Sequence, residues 1–378
     1  MSALSEIRVL ELAEGVAGEY CGKLLSDFGA EVIKVEPPEG SPTRRCGPFA
    51  GEHSGLFAYL NTNKSSVVLD RSTPSGKSTL SKLLERVDVV VDDHAPGWLA
   101  SIGLGLDTLE TNHSNLVVCS ITAYGQSPPD DRLHAEDLNV FHSSGWGYHT
   151  PSAADATAPP LKGAGRYLVS YEAGLDAALC IAAAVYERLD SQLGRWIDIS
   201  KQRVMASRVD YVLGQMVGGD IDVSSRRSAF DLGGPASFFR CRDGYVYLWI
   251  SAPAHWQGLR KLLGAPSWMD DFSERWLELD CTPERVATCR QHLGEWLLSQ
   301  DKESVSEAAQ QQGVTMVAVN GAADLQRSPQ YVHRGFFSEV GSKHYPTVPY
   351  LLSATPARIH SASPLLGQHT AETGRGRT

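Results

Sequence analysis

Residues 7–36 read as a short apolar run, IRVLELA, an amphipathic stretch, EYCGKLLSDFG, and a second apolar run, AEVIKVE. Two short strands separated by one helical crossover pair in parallel, because the helix carries the chain back to the end of the sheet where it started. The pattern then repeats. SSVVLD predicts a strand, PSGKSTLSKLLERV a helix, and DVVVDD and NLVVCSIT two further strands. Residues 1 to about 125 therefore read as one doubly wound α/β unit, a parallel sheet with helices packed on it.

The next forty residues change character. QSPPDD and TPSAADATAPP predict surface loops around one short helix, AEDLNVFHSSG. A long helix follows, EAGLDAALCIAAAVYERL, whose small residues allow close backbone packing, then a strand, GRWIDIS, and a helix, KQRVMASRVDYVLGQM. GGPASFFRCRDGYVYLWIS reads as two strands around Asp243-Gly244, with helices across 254–312. A chain of 378 residues, 42 % hydrophobic, exceeds the roughly 250–300 residues at which single cores stop growing. The C-terminal third accordingly predicts a smaller α+β domain. The tail, with VTMVAVN and PLLGQHTAET, closes no core of its own and is expected to return to the first domain or to pack on a partner chain.

Charge and cysteine usage narrow the function. A formal net charge of −10 speaks against nucleic acid as the main partner, since that binding needs clustered Lys and Arg. The seven cysteines are odd in number and scattered without a CxxC pair, which predicts reduced thiols and no metal site. No apolar run approaches the roughly 18–20 residues of a membrane span, and MSALSEIRVLELAEG does not read as a signal peptide. The expectation is a cytoplasmic protein with no membrane partner.

Phosphate-binding motifs are absent. SGKST at 75–79 imitates the end of a phosphate loop, but the glycine required five residues before its Gly-Lys pair is Arg71. After the first strand, Gly15 and Gly18 have the wrong spacing for a dinucleotide fingerprint, although the following helix could still offer free N–H groups to an anion. His134 and His142, eight apart, are either an acid/base pair or two partly exposed loop histidines. Glu172 and Asp176 lie one turn apart where a helix starts, and Ser170 just ahead of them reads as an N-cap.

Taken in order, RVLELAEGVAGEYCGKLLSDFGAEVIKVEPPEGSPTR, NTNKSSVVLD, DVVVDDHAPGWLASIGLG, LVVCSITAYGQ, EDLNVFHSSG, EAGLDAALCIAAAVYERLDSQLGRWIDIS, GVTMVAVNGAADLQRSPQYVHRGFF and SPLLGQHTAE resemble the class III CoA-transferase family. That group includes formyl-CoA transferase, carnitine CoA-transferase and α-methylacyl-CoA racemase. The resemblance implies a Rossmann-like large domain over 1–225, a small domain over 226–325 and a segment, 326–378, that returns to the large domain. It also implies an interlocked dimer with active sites between subunits, coenzyme A as substrate or co-substrate, no metal, and a carboxylic acid as the second substrate.

In the family's transferases one Asp takes the acyl group as a mixed anhydride, and in its racemases the same Asp works with a His from an earlier loop. That Asp lies four residues before the glycine that is Gly174 here, and the position holds Ser170. A serine needs an adjacent base, and its ester passes an acyl group to a thiol less readily than an anhydride does. The family's CoA contacts map onto Val16, Ala17, Lys34, Lys64 and Leu69. Asp93 and His94 replace an Asn and an aromatic, Ser101 replaces an Arg, and Glu19 replaces a Pro. The resemblance thus implies a weakened CoA site and a displaced catalytic acid. Two readings follow: a non-catalytic subunit in a heterodimer with an Asp-bearing paralogue, or, as a homodimer, an active CoA-thioester isomerase, racemase, hydratase or lyase. The second would use Glu172, His134 or His142 for proton transfer, with Ser170 at the position of the family's catalytic Asp.

Overall fold

The computed structural model describes residues 2–129, 135–149, 165–219 and 234–371. They fall into two compact units, the larger holding 2–129, 135–149, 165–219 and 333–371, the smaller 234–332.

The larger unit is built on six strands, β1 (Arg8–Glu11), β2 (Glu31–Glu36), β3 (Lys64–Val68), β4 (Val89–Asp92), β5 (Val117–Thr122) and β6 (Trp196–Ser200). Their spatial order is β3-β2-β1-β4-β5-β6, every pair parallel. This is the order of doubly wound dinucleotide-binding sheets, which places a crevice beyond the carboxyl ends of β1 and β4, where the winding reverses. VVVD in β4 and VVCSIT in β5 are buried along their whole length, as strands covered on both faces must be. One face carries Leu10, Val35, Val67, Val90 and Val118 against α2 (Pro74–Leu84). The other packs Val9, Val32 and Val117 against α1 (Val16–Asp27) and the long α4 (Leu168–Ser191), which follows α3 (Asp137–Ser143). After β6 the chain turns directly into α5 (Lys201–Ala206), capped by the Ser200 hydroxyl.

By length and composition α4 is the one helix among the described residues apolar enough to cross a membrane, contrary to the expectation that no run qualifies. Glu172 and Asp176 interrupt it, and its Ala173, Ala177 and Ile181 are sealed into the core beside α1. Gly174 permits that approach. A Cβ there would stand 2.5 Å from the Ala17 carbonyl oxygen.

Residues near the C-terminus run beside β3. Ser66 donates its N–H to His369 Nδ1 and accepts from the His369 N–H, while Arg358 donates its N–H to the Asp27 carbonyl.

In the smaller unit, β7 (Ser237–Cys241), β8 (Gly244–Trp249) and β9 (Thr315–Ala318) form an antiparallel sheet in the order β9-β8-β7. Three helices, α6 (Pro253–Leu262), α7 (Pro283–Leu297) and α8 (Lys302–Gln311), contribute to a separate core centred on Trp256, Trp276, Leu248 and Leu293.

Candidate active site

Three elements of the larger unit meet at Ser170. Asp137 opens α3, Lys201 opens α5, and Ser170 is the third residue of α4 rather than its N-cap, which is Tyr167. The expected capping role passes to another side chain: Asp137 Oδ2 accepts from the Ser170 N–H at 3.0 Å, so a carboxylate from α3 caps the first turn of α4. The Ser170 hydroxyl donates to Asp137 Oδ1 at 2.9 Å, and Lys201 Nζ donates to both Ser170 Oγ (3.0 Å) and Asp137 Oδ1 (3.1 Å). The three groups form a closed triangle. Ser170 is 3 % exposed, and Asp137 also lines a cavity of about 510 Å³ with Glu136, Phe141, Arg166, Tyr167 and Val169.

The other proton-transfer candidates do not converge here. Glu172 and Asp176 are held by one guanidinium, each 2.6 Å from Arg208, so neither is a bare helix-start carboxylate. His142 is exposed near the far end of α3, about 140° around the helix from Asp137. His134 lies outside the described residues.

The CoA-contact positions differ more sharply from expectation. Lys34 and Lys64 are interior residues, not free cations facing a ligand. Lys34 Nζ sits 2.8 Å from Glu19 and 3.1 Å from Glu11, and Lys64 Nζ donates to Glu11 Oε2 at 2.7 Å and to the Glu19 carbonyl. All four side chains are fully buried. Burial opposes every charge in this network. The neighbouring carboxylates outweigh it at Lys34, whose pKa is raised, but not at Lys64, whose pKa is lowered. Glu19, placed where the family has a proline, is also fixed by Thr43 Oγ1 and Asn61 Nδ2. Val16, Ala17 and Leu69 are core residues, so any ligand contact from them would be through backbone.

At the crevice beyond β1 and β4, Asp93 closes the start of α1. Its carboxylate accepts from the N–H groups of Glu14 (2.9 Å), Gly15 (3.0 Å) and Gly18 (3.1 Å), the groups that would otherwise attract an anion. His94 is sandwiched into the same wall, Nδ1 2.7 Å from Asp92 and its ring stacked on Trp98 at 3.6 Å. Burial disfavours its charge, but Asp92 and Glu14 push it up to about 9. Burial likewise works against Glu14, yet hydrogen bonds to His94 and Arg71 pull it down to about 2. Asp92 and Glu14 are thus paired with His94 and Arg71, while Asp93 is held by backbone N–H groups.

Residues 4–370 match the family model described as CoA-transferase family III. The chain belongs to that family. It is 28 % identical to the succinate–glutarate CoA-transferase of Agrobacterium fabrum over 98 % of this chain and 94 % of that protein. It is 28 % identical, with the same coverage of each chain, to the formyl-CoA:oxalate CoA-transferase of Streptomyces avermitilis. Its fold overlays a solved CAIB/BAIF family protein from Brucella suis with a TM-score of 0.84 at 26 % identity, covering 98 % of both chains. Family membership brings acyl-CoA thioesters and carboxylates as the substrate classes. Sequence reading singled out Ser170 but assigned no role to Asp137 or Lys201, which stand 33 and 31 residues away along the chain. EDLNVFHSSG contained the first of these without any spacing that tied it to Ser170.

Proposed function

We propose that this family III chain is a subunit of a CoA-transferase and does not itself supply the acyl-accepting carboxylate for transfer. An Asp on a paralogous chain would take that role in a heterodimer, at a site shared between subunits. The observation that carries this reading is Ser170, a buried hydroxyl already engaged by Asp137 and Lys201 where the family resemblance puts an acid. The carboxylate of Asp93 across the start of α1 supports it, because a CoA phosphate approaching there would meet a like charge.

The acyl group belongs in the cavity beside Asp137. Arg166, the one cation among the described lining residues, suits a chain ending in a second carboxylate, such as the succinate and glutarate after which one relative is named. Proton transfer by Glu172 or His142 draws less support, since Arg208 neutralises Glu172 and His142 lies outside this lining.

The test is CoA exchange between succinyl-CoA and glutarate. The chain alone is expected to show no exchange, and mixing with an Asp-bearing paralogue that co-purifies with it should produce exchange. Exchange by the isolated chain at ordinary enzyme rates would end this reading.

A further inference from the structure

We propose that Ser170, Asp137 and Lys201 form a hydrolytic centre that takes an acyl group from a CoA thioester as a serine ester and passes it to water. The proposal goes beyond the subunit reading and does not depend on it: the first concerns release of free thiol, the second transfer of CoA to a carboxylate.

The geometry supplies what a nucleophilic serine needs. A hydroxyl attacks poorly unless a neighbour takes its proton and another stabilises the charge developing on oxygen. Here the Ser170 hydroxyl donates to Asp137 Oδ1 at 2.9 Å, the direction in which a base must receive the proton. Lys201 Nζ, 3.0 Å from the same oxygen, places a cationic donor on it. The base is in turn oriented, because Asp137 Oδ2 is fixed by the Ser170 N–H and Oδ1 also accepts from Lys201. A serine between a lysine and a carboxylate is an established nucleophile arrangement on unrelated folds. The cavity of about 510 Å³ borders the triangle through Asp137, Leu168 and Val169 and gives an acyl chain room.

In the first step Ser170 Oγ bonds to the thioester carbonyl carbon, its proton moves to Asp137, the C–S bond breaks, and the departing CoA thiolate takes that proton from Asp137, which is left as a carboxylate. In the second, water attacks the ester carbonyl, gives a proton to Asp137, and the C–O bond to Ser170 breaks with return of a proton to Oγ. The sum is acyl-CoA plus water giving a carboxylic acid and CoA thiol, with no oxidant or metal. An oxygen ester is less activated than the thioester that formed it, so return of the acyl group to a thiol is uphill and water is the productive acceptor.

The experiment incubates the full-length chain with succinyl-CoA and follows free thiol, then maps the acylated peptide by mass after quenching. The expected result is thiol release above the uncatalysed rate, with an adduct on Ser170 that survives neutral hydroxylamine, whereas a mixed anhydride would be cleaved by it. S170A is expected to lose the adduct and at least about 100-fold of the rate, the scale of a lost nucleophile and base, and Lys201→Met to move the pH profile of thiol release. Should S170A fail to fold, the wild-type adduct still decides. No thiol release by the wild type, an adduct on a carboxylate such as Asp137, or unchanged release by folded S170A would each overturn the proposal.

Discussion

At the scale of single residues, the most consequential substitution is a carboxylate where a neutral amide is expected. Asp93 was legible as a departure, but its occupation of three backbone N–H groups was not, because that depends on β4 ending beside the start of α1. Asp93→Asn keeps an acceptor for the cap and removes the charge. It is expected to cost about 0.5–1 kcal/mol of stability and to raise CoA affinity roughly tenfold, about 1.4 kcal/mol. Calorimetric titration checks this, and equal affinities in the two proteins would show that Asp93 does not gate the crevice. His94 makes a second prediction. Its pKa is raised from 6.5 to about 9, so the stability it contributes is complete below pH 6.5 and drains away as pH rises through 9. Denaturation midpoints of the wild type should fall over that window by the equivalent of about 1–3 kcal/mol, and those of His94→Gln should not. Lys34 and Lys64 teach the converse lesson. The family resemblance made them CoA contacts, and the structure holds both in a buried ion network with Glu11 and Glu19.

At the scale of elements, hydrophobic periodicity made the sheet readable: IRVLELA, AEVIKVE, DVVVDD, NLVVCSIT and GRWIDIS each contain an observed strand, and SSVVLD holds all of β3 but Lys64. The start of α4 was less legible. Ser170, the one capping residue in RYLVS, lies inside the helix rather than ahead of it, and the first turn is capped instead by Asp137, on a different helix, which accepts from the Ser170 N–H. The Ser170–Asp137–Lys201 triangle consequently depends on how α4 is seated against α1, and Gly174 sets that distance. Gly174→Ala places a Cβ 2.5 Å from the Ala17 carbonyl and 3.2 Å from Tyr20, whose ring meets Tyr171 edge-on at 4.7 Å. Helix propensity favours alanine by up to about 1 kcal/mol, but forcing two backbones apart typically costs about 1–3 kcal/mol. A net destabilisation is expected, read as a lower melting temperature. An unchanged or higher value would mean that α1 and α4 separate freely.

At the scale of the whole molecule, the main cores of the two units share no residue among those described, the one divided over the two faces of the parallel sheet and the other around the tryptophans of residues 234–332. Of the tail that was expected to lack a core, VTMVAVN instead supplies β9 of the smaller unit's sheet, and only the residues after 332 return to the larger unit, where they contact Ser66 and Asp27. Separate cores predict separate cooperative units. Aromatic residues are unevenly divided in a way that makes this measurable: Trp249, Trp256, Trp268, Trp276 and Trp296 belong to the smaller unit, and Trp98, Trp146 and Trp196 to the larger. Trp256, Phe272 and Trp276 pack with ring centroids 4.9–5.3 Å apart, so loosening of that cluster changes fluorescence directly. Far-UV dichroism instead averages over both units. In a urea titration the fluorescence transition should be displaced from the dichroism transition, with a slope near 1–2 kcal/mol/M, the value for a domain of about 100 residues. Two coincident, superimposable transitions would show that the units unfold as one. Non-coincidence with the fluorescence step at lower urea would mean that the smaller unit can open while the Ser170 triangle stays assembled.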